Sequence, residues 1–373
     1  MPLSEHDVLS QLLSRELVRP QAVVDGGVEV VGASQRNRNF KIINHAGPSY
    51  FLKQGTDPER IRSIAREAAA YAILQGAPGL DRYLPRLCAY DPQEAILVLD
   101  YVRGAVDLRE YHATHRRFPV TQAKGVGAAL AALHGVPAPP CAPAIGAGGL
   151  PDQVPWALSV HRPALTMMRD MSRANVQLMK VIQSFPELGG FLDALRREWK
   201  SEAIIHSDLK WDNCIVAPQP ESGRMTDVRI VDWELAASGD PCWDTGSVFH
   251  AYLSYWLLSI PIMGEQPPEK LLPLARFPLE RMQPAMRAFW ESYAARRNLA
   301  PDARDDRLLR SVRYAAARLL QTAYEQMQAS MAFTGNIVCI LQLSLNMLQR
   351  PHEASVQLLG IPAATRAWDV ARH

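Results

Sequence analysis

Two short stretches constrain this chain more than any others. Residues 203–213, AIIHSDLKWDN, run from an apolar entry, Ile204 and Ile205, into His206, Asp208, Lys210 and Asn213, and an apolar segment follows over 214–217. Residues 228–234, VRIVDWE, read as a second short strand that ends on Asp232. Between them, 217–227 is rich in Pro, Gly, Ser and Asp and reads as a hairpin connection. Pairing of the two strands brings Asn213 and Asp232 to neighbouring ends, with Asp208 beside them. Two carboxylates and an amide oxygen in one place suit a hard cation such as Mg²⁺, which prefers oxygen ligands and keeps waters and substrate phosphates as the rest. Each residue alone is ordinary turn chemistry. The set together outlines a phosphoryl-transfer site.

The spacing His206-x-Asp208-x-Lys210-x-x-Asn213, then strand, turn and strand closing on Asp232-Trp233-Glu234, resembles the catalytic and metal loops of the protein-kinase-like superfamily. Asp-Trp in place of Asp-Phe-Gly is similar to the aminoglycoside phosphotransferase and choline kinase branch. Gly239-Asp240-Pro241-Cys242-Trp243-Asp244 also resembles that branch, in its Gly-Asp-Pro-x-x-Asp signature. The resemblance implies an α+β, bilobal fold: a small N-terminal antiparallel sheet lobe with one main helix, and a large, mostly helical C-terminal lobe. It implies ATP and Mg²⁺ as cofactors, with Asp208 taking or orienting the acceptor proton. Asn213 and Asp232 then hold the metal, and Lys210 reaches the transferred phosphoryl group. By the same resemblance His206 fixes the loop and Asp244 braces it through its backbone, although Asp240 and Asp244 are also good caps for the next helix.

The chain ahead of this centre supplies the expected partners. Ser4 is placed to cap a first helix, with Val8, Leu9, Leu12, Leu13 and Leu17 on one side. Segments 28–31, 39–44 and 50–54 read as three antiparallel strands. Lys53, inside the third, reads on its own more often as an edge or snorkelling residue than as a ligand. Asp57 and Pro58 then start a helix with a buried face of Ile61, Ile64, Ala65, Ala68 and Tyr71, and Glu67 at its margin. By resemblance, Lys53 and Glu67 form the pair that positions the α and β phosphates. The loop after the first strand has no Gly-x-Gly-x-x-Gly; Ser34, Arg36 and Asn37 there offer phosphate donors, or only a solvated basic turn. Residues 95–100 are a continuous apolar strand that resembles the segment linking the lobes. Leu99 then guards the pocket, and the Asp100 carbonyl and Val102 amide hold adenine. The plain alternative is a buried strand and a turn at Gly104.

The expected organisation is an accessory helix over 1–20, a nucleotide-binding lobe over 21–102, and a catalytic, acceptor-binding lobe over 103–373 with a loop insertion at 137–155. Helices are expected near 164–184 and 187–200, and His134 reads as structural. Over 373 residues, 48% apolar content, 21% charge and a net charge of +2 point to no nucleic-acid surface. Five scattered cysteines without a Cys-x-x-Cys pair argue against a disulfide framework or zinc site and fit a reducing cytoplasm. The N-terminus does not read as a secretory signal. Residues 248–263 are the most apolar run, yet His250 and Pro261 interrupt it short of the roughly 20 residues a span needs, so a buried helix and no membrane partner are expected.

The acceptor is the open term. Residues 276–318 hold ten arginines against five acids. That face disfavours a polycationic antibiotic and leaves a neutral or anionic hydroxyl compound, unless it is only solvated surface. The continuation Lys210-Trp211-Asp212-Asn213-Cys214 resembles phosphotransferase-like proteins of lanthipeptide and thioamide-peptide pathways. The acceptor then is Ser or Thr of a peptide, and a partner lyase eliminates phosphate. A catalytically inactive scaffold with the kinase fold is the remaining alternative.

Overall fold

Alternation along the third strand explains how a lysine comes to be buried in this fold. In a computed structural model describing residues 2–34, 38–137, 150–164, 169, 171–219, 221–261, 268–328 and 334–363, strands β1 (Val28–Ser34), β2 (Arg38–Asn44), β3 (Tyr50–Gln54), β4 (Leu87–Asp91) and β5 (Ile96–Asp100) form an antiparallel sheet. Their order is β1-β2-β3-β5-β4. Tyr50, Leu52, Phe40, Ile42, Ile96 and Val98 face helix α1 (Glu5–Ser14) and pack on its Val8 and Leu12. The opposite face carries Leu97 and Leu99, which join Ile64, Ala68, Tyr71 and Leu74 of helix α3 (Pro58–Gln75), the second helix α2 being the short Pro20–Val24. Lys53 stands opposite Leu97 in the ladder and so projects toward α3.

The sequence signals for the starts of α1 and α3 hold locally, whereas Ile61, expected on the buried face of α3, is 42% exposed. Ser4 accepts from the Asp7 amide, and Asp57 caps α3 by accepting from Glu59 and Arg60, with Pro58 in the first turn. Glu67 is fully buried on the packed face, deeper than the margin expected. Strand β4 was not anticipated; it is an edge strand with a register shift between Leu87 and Ala89, stabilised by pairing with β5.

The rest is helical around two small ladders. Strand β6 (Val106–Asp107) leads into helices α4 (Leu108–His115) and α5 (Val120–Leu133), and then α6 (Arg173–Gln183) and α7 (Pro186–Arg197) precede β7 (Ala203–Ile205). Of the helix expected near 164–184, the described part begins after its cap, Ser172. Strands β8 (Cys214–Pro218) and β9 (Met225–Ile230) pair antiparallel, Cys214 opposite Ile230, while β10 (Ala237–Gly239) pairs with β7. The strand expected to reach Asp232 stops at Ile230, because Asp232 adopts φ 69° and ψ 59°, a left-handed conformation that breaks the ladder.

Helix α8 (Pro241–Leu258) is buried along most of its length. It is followed by α9 (Pro268–Leu271), α10 (Leu279–Arg296), α11 (Pro301–Gln328), α12 (Gly335–Gln349) and α13 (Pro351–Gln357). Among the described residues no helix is long and apolar enough to cross a membrane. Most of the segment 137–155 lies outside the described residues.

Candidate active site

Lys53 is the meeting point of the two halves. Its Nζ donates to Glu67 Oε1 at 2.8 Å and Oε2 at 2.7 Å, and to Asp232 Oδ1 at 2.6 Å. Burial alone lowers the lysine pKa, but Glu67 and then Asp232 outweigh it and hold it above its ordinary value. Burial pushes the Asp232 carboxyl up, and Lys53 overrides that and holds it below the usual carboxylate range. Glu234, two residues on, accepts from Ser63 Oγ at 2.5 Å, so α3 is fastened to the Asp-Trp-Glu turn at a second point.

The expected strand pairing is present and does what sequence spacing required of it. Asn213 precedes β8 and Val231 follows β9; the Val231 amide donates to the Asn213 carbonyl at 3.0 Å. Asn213 Nδ2 donates to the Asp208 carbonyl at 2.9 Å, which draws residue 208 to the same end of the ladder. The Asp208 carboxylate is held on both oxygens: Lys210 Nζ reaches Oδ2 at 2.7 Å and Arg318 Nη2 reaches Oδ1 at 3.3 Å. Burial raises the Asp208 pKa, yet Arg318 and Lys210 together pull it below its ordinary value.

The loop around Asp208 is fixed from beneath by α8. Asp244 Oδ2 accepts from the His206 amide at 2.7 Å and Oδ1 from the Ser207 amide at 3.1 Å. Trp243 Nε1 donates to the Ser207 carbonyl at 2.8 Å. These bonds hold Ser207 at φ 69°, a conformation that costs a non-glycine residue about 1–3 kcal/mol and persists only where its surroundings dictate it. His206 Nε2 lies 2.9 Å from the Val231 carbonyl; a carbonyl only accepts, so this nitrogen carries the hydrogen. The histidine thus ties the loop to the end of β9. His134 is buried between the Tyr293 hydroxyl and Asp244. Asp240 caps α8 through the Cys242 amide and accepts from Arg310 and Tyr314.

The remaining candidates divide. Asp100 closes β5, with its side chain turned to Arg86 and Cys88, and Val102 opens the connection to the helical part. Ser34 ends β1, but its side chain, like all of Arg36 and Asn37, lies outside the described residues. Part of the arginine-rich stretch is neutralised by carboxylates from elsewhere in the chain: Arg307 pairs with Glu202, Arg310 with Asp240 and Arg313 with Glu198, while Arg276, Arg281, Arg287 and Arg296 are exposed. Sequence reading missed Arg318 and Trp243. The available signal was an arginine on the buried stripe of an amphipathic helix, in register with Ser311, Tyr314 and Thr322.

The oxygens of this centre suit a divalent ion. Asn213 commits its Nδ2, and Asp232 its Oδ1, to protein partners, which leaves Asn213 Oδ1 and Asp232 Oδ2 as hard donors at adjacent chain ends. Among the described residues no cluster of three His, Cys, Asp or Glu forms a full cage. A metal held by so few protein donors is one that shares its remaining positions with water and phosphate.

The sequence model of the phosphotransferase enzyme family matches residues 27–261. Among solved structures, the GDP complex of a point mutant of aminoglycoside 2'-phosphotransferase-IIIa is similar with a TM-score of 0.51 and 12% identity, covering 95% of this chain and 99% of that one. The choline kinase of Streptococcus pneumoniae gives a TM-score of 0.48 at 15% identity, covering 90% of this chain and 99% of that one. A choline/ethanolamine kinase family protein of Mesorhizobium loti gives 0.49 at 18% identity, covering 90% and 94%. At 12% identity the first of these shows a shared fold alone. No curated protein matches the chain.

Proposed function

Since the chain belongs to the phosphotransferase enzyme family, we propose that it moves the γ-phosphoryl group of ATP, in a Mg²⁺-dependent reaction, to the hydroxyl of a neutral or anionic acceptor. One observation carries the reading: Lys53, Glu67 and Asp232 form one ion-paired group, while Asn213 is hydrogen-bonded both to Asp208 and to Val231, the residue before Asp232. Phosphoryl transfer asks a protein mainly for positioning and charge, and these residues supply both.

In this reading Lys53, fixed by Glu67, takes the α and β phosphates. The backbone of Asp100 and Val102 holds adenine, and Ser34 and Arg36 supply donors to phosphate. Asn213 and Asp232 hold Mg²⁺, which when bound neutralises charge on the phosphate oxygens. Asp208 orients the acceptor hydroxyl and receives its proton as the new O–P bond forms and the bond to ADP breaks. Lys210 leaves Asp208 to meet the transferred group, where charge accumulates. Residues 21–102 then act as the nucleotide lobe and 103–373 as the acceptor lobe.

The acceptor class rests on the charges around Asp208. Arg318 stays on the Asp208 carboxylate when Lys210 leaves it, so an ammonium group directly beside the reacting hydroxyl faces a buried guanidinium. Hydroxyl-bearing small molecules satisfy this, and so does Ser or Thr of a peptide whose phosphate a partner lyase later removes.

The test is thermal stabilisation by Mg-ATP and by Mg-GTP, followed by transfer of labelled γ-phosphate to small alcohols and to Ser/Thr peptides. Stabilisation by nucleotide and label on a neutral or anionic acceptor are the expected results. A protein that neither binds a nucleotide nor labels any acceptor would overturn the proposal.

A further inference from the structure

Arg318 lies on α11, outside the segment 27–261 that matches the family model, yet it reaches the centre of the site. Its side chain is 6% exposed. Nη2 donates to Asp208 Oδ1 at 3.3 Å and Nη1 to Gln321 Oε1 at 3.0 Å, and Gln321 is in turn held by Glu325. The guanidinium stands 5.6 Å from the ring centre of Trp243, the residue that bonds the Ser207 carbonyl. Helices α8 and α11 therefore set both the backbone of the loop and the direction of its carboxylate.

The two cations on Asp208 are not equivalent. Lys210 is two residues along the same loop, and its side chain is 44% exposed. Its flexible stem can leave Asp208 for an incoming phosphate. Arg318 is buried, planar and held at three points, so it stays. We propose that Arg318 is a positioning residue that grips Oδ1 of Asp208 and turns Oδ2 toward the acceptor, making Oδ2 the oxygen that receives the proton. The inference rests on the phosphotransferase reading above. When Lys210 moves from Oδ2 to the transferred group, the acceptor O–H takes its place. As the acceptor oxygen bonds to phosphorus and ADP departs, the proton passes to Oδ2. Arg318 keeps its charge and place throughout.

The experiment needs no knowledge of the acceptor, because hydrolysis of Mg-ATP uses water in its place. Arg318→Gln is expected to lower kcat by about 10²-fold, the order that follows from displacing a reacting group, with KM for Mg-ATP nearly unchanged. Arg318→Lys restores the charge without the planar fork and is expected to recover much of the loss. In an Asp208→Asn background, Arg318→Gln is expected to have little further effect, since it acts through the carboxylate. Equal losses in both backgrounds, or a lysine variant as impaired as the glutamine one, would overturn the inference and leave Arg318 a packing residue. Arg318→Met, which keeps the apolar stem, replaces the glutamine variant if that one does not fold. A wild-type protein that neither binds nor hydrolyses Mg-ATP overturns the proposed function and this inference together, whereas the patterns above, in an active protein, overturn the inference alone.

Discussion

Lys53 Nζ and Asp232 Oδ1 stand 2.6 Å apart although 179 residues separate them in the chain. The lysine bridges Glu67, on the main helix of the sheet lobe, to the turn after β9. Its removal leaves Glu67, fully buried, facing a second carboxylate with no cation between them. Lys53→Met is therefore expected to destabilise the fold by about 3–5 kcal/mol, the usual result of orphaning a buried charge. Replacing both partners, Lys53→Met with Glu67→Leu, is expected to recover most of that loss. Urea unfolding of the wild type, both single variants and the double variant measures the coupling, and additive losses would contradict it.

Asp208→Asn keeps the shape of the loop, and its amide oxygen can still face Arg318, but it cannot take a proton. A fall in kcat of at least about 10²-fold is expected, the lower range for a general base, with little change in Mg-ATP affinity. Mg-ATP hydrolysis with a parallel thermal-shift titration checks both quantities. Near-normal turnover would remove Asp208 from the chemistry.

The geometry that makes these predictions was legible in sequence where a residue's neighbours are local or set by a strand register. Asn213 and Asp232 flank a hairpin, so pairing of the two strands was enough to bring them together. Lys53 and Glu67 follow from a strand and the capped helix after it. Asp232 itself was misjudged as strand because nothing in Val231-Asp232-Trp233 announces a left-handed backbone in a non-glycine residue. Arg318 was invisible for another reason. It lies 110 residues beyond Asp208, and composition counted it with nine other arginines, of which Arg307, Arg310 and Arg313 pair with Glu202, Asp240 and Glu198. Only helix packing separates the one arginine that enters the site from those that do not.

The charges around Asp208 predict acceptor preference. With Lys210 and Arg318 both within 3.3 Å of the carboxylate, glyceric acid and glycerol are expected to accept labelled phosphate better than choline or kanamycin. Initial rates at equal concentration make the comparison. Preference for the cationic pair would show that the acceptor's charged group lies well away from these cations.

Asp208 also predicts a stability profile. Arg318 and Lys210 overcome burial and hold its folded pKa below the ordinary value of 3.8, so the unfolded chain takes up its proton first as pH falls. The stabilisation is complete above that ordinary value and is lost as pH falls through the folded one. The difference in unfolding free energy between wild type and Asp208→Asn is accordingly expected to be larger at pH 6 than at pH 3. Denaturant curves at the two pH values provide the check, and a difference that grows on acidification would reverse the sign.

Gly246 gives a prediction that reaches the site through packing alone. It lies two residues after Asp244, where α8 crosses α11. A Cβ there would stand 2.6 Å from the Ser311 carbonyl oxygen, 3.0 Å from Tyr314 Cβ and 3.1 Å from the Ala315 amide nitrogen. Two of these are backbone atoms that cannot rotate away, so Gly246→Ala must push the helices apart, at about 1–3 kcal/mol for overpacking in a filled core. Helix α8 carries Trp243 and Asp244, which hold the loop, while α11 carries Arg318, which holds the carboxylate. Separation of the two therefore loosens Asp208 without touching Lys53 or Glu67. The variant is expected to melt lower, by roughly 1–2 °C per kcal/mol for a chain of this size, and to lose kcat while keeping KM for Mg-ATP. Scanning fluorimetry and the hydrolysis assay read the two effects separately. A lower melting point with unchanged kcat would mean that the loop is held firmly enough by Asp244 and Trp243 that the position of α11 does not govern it.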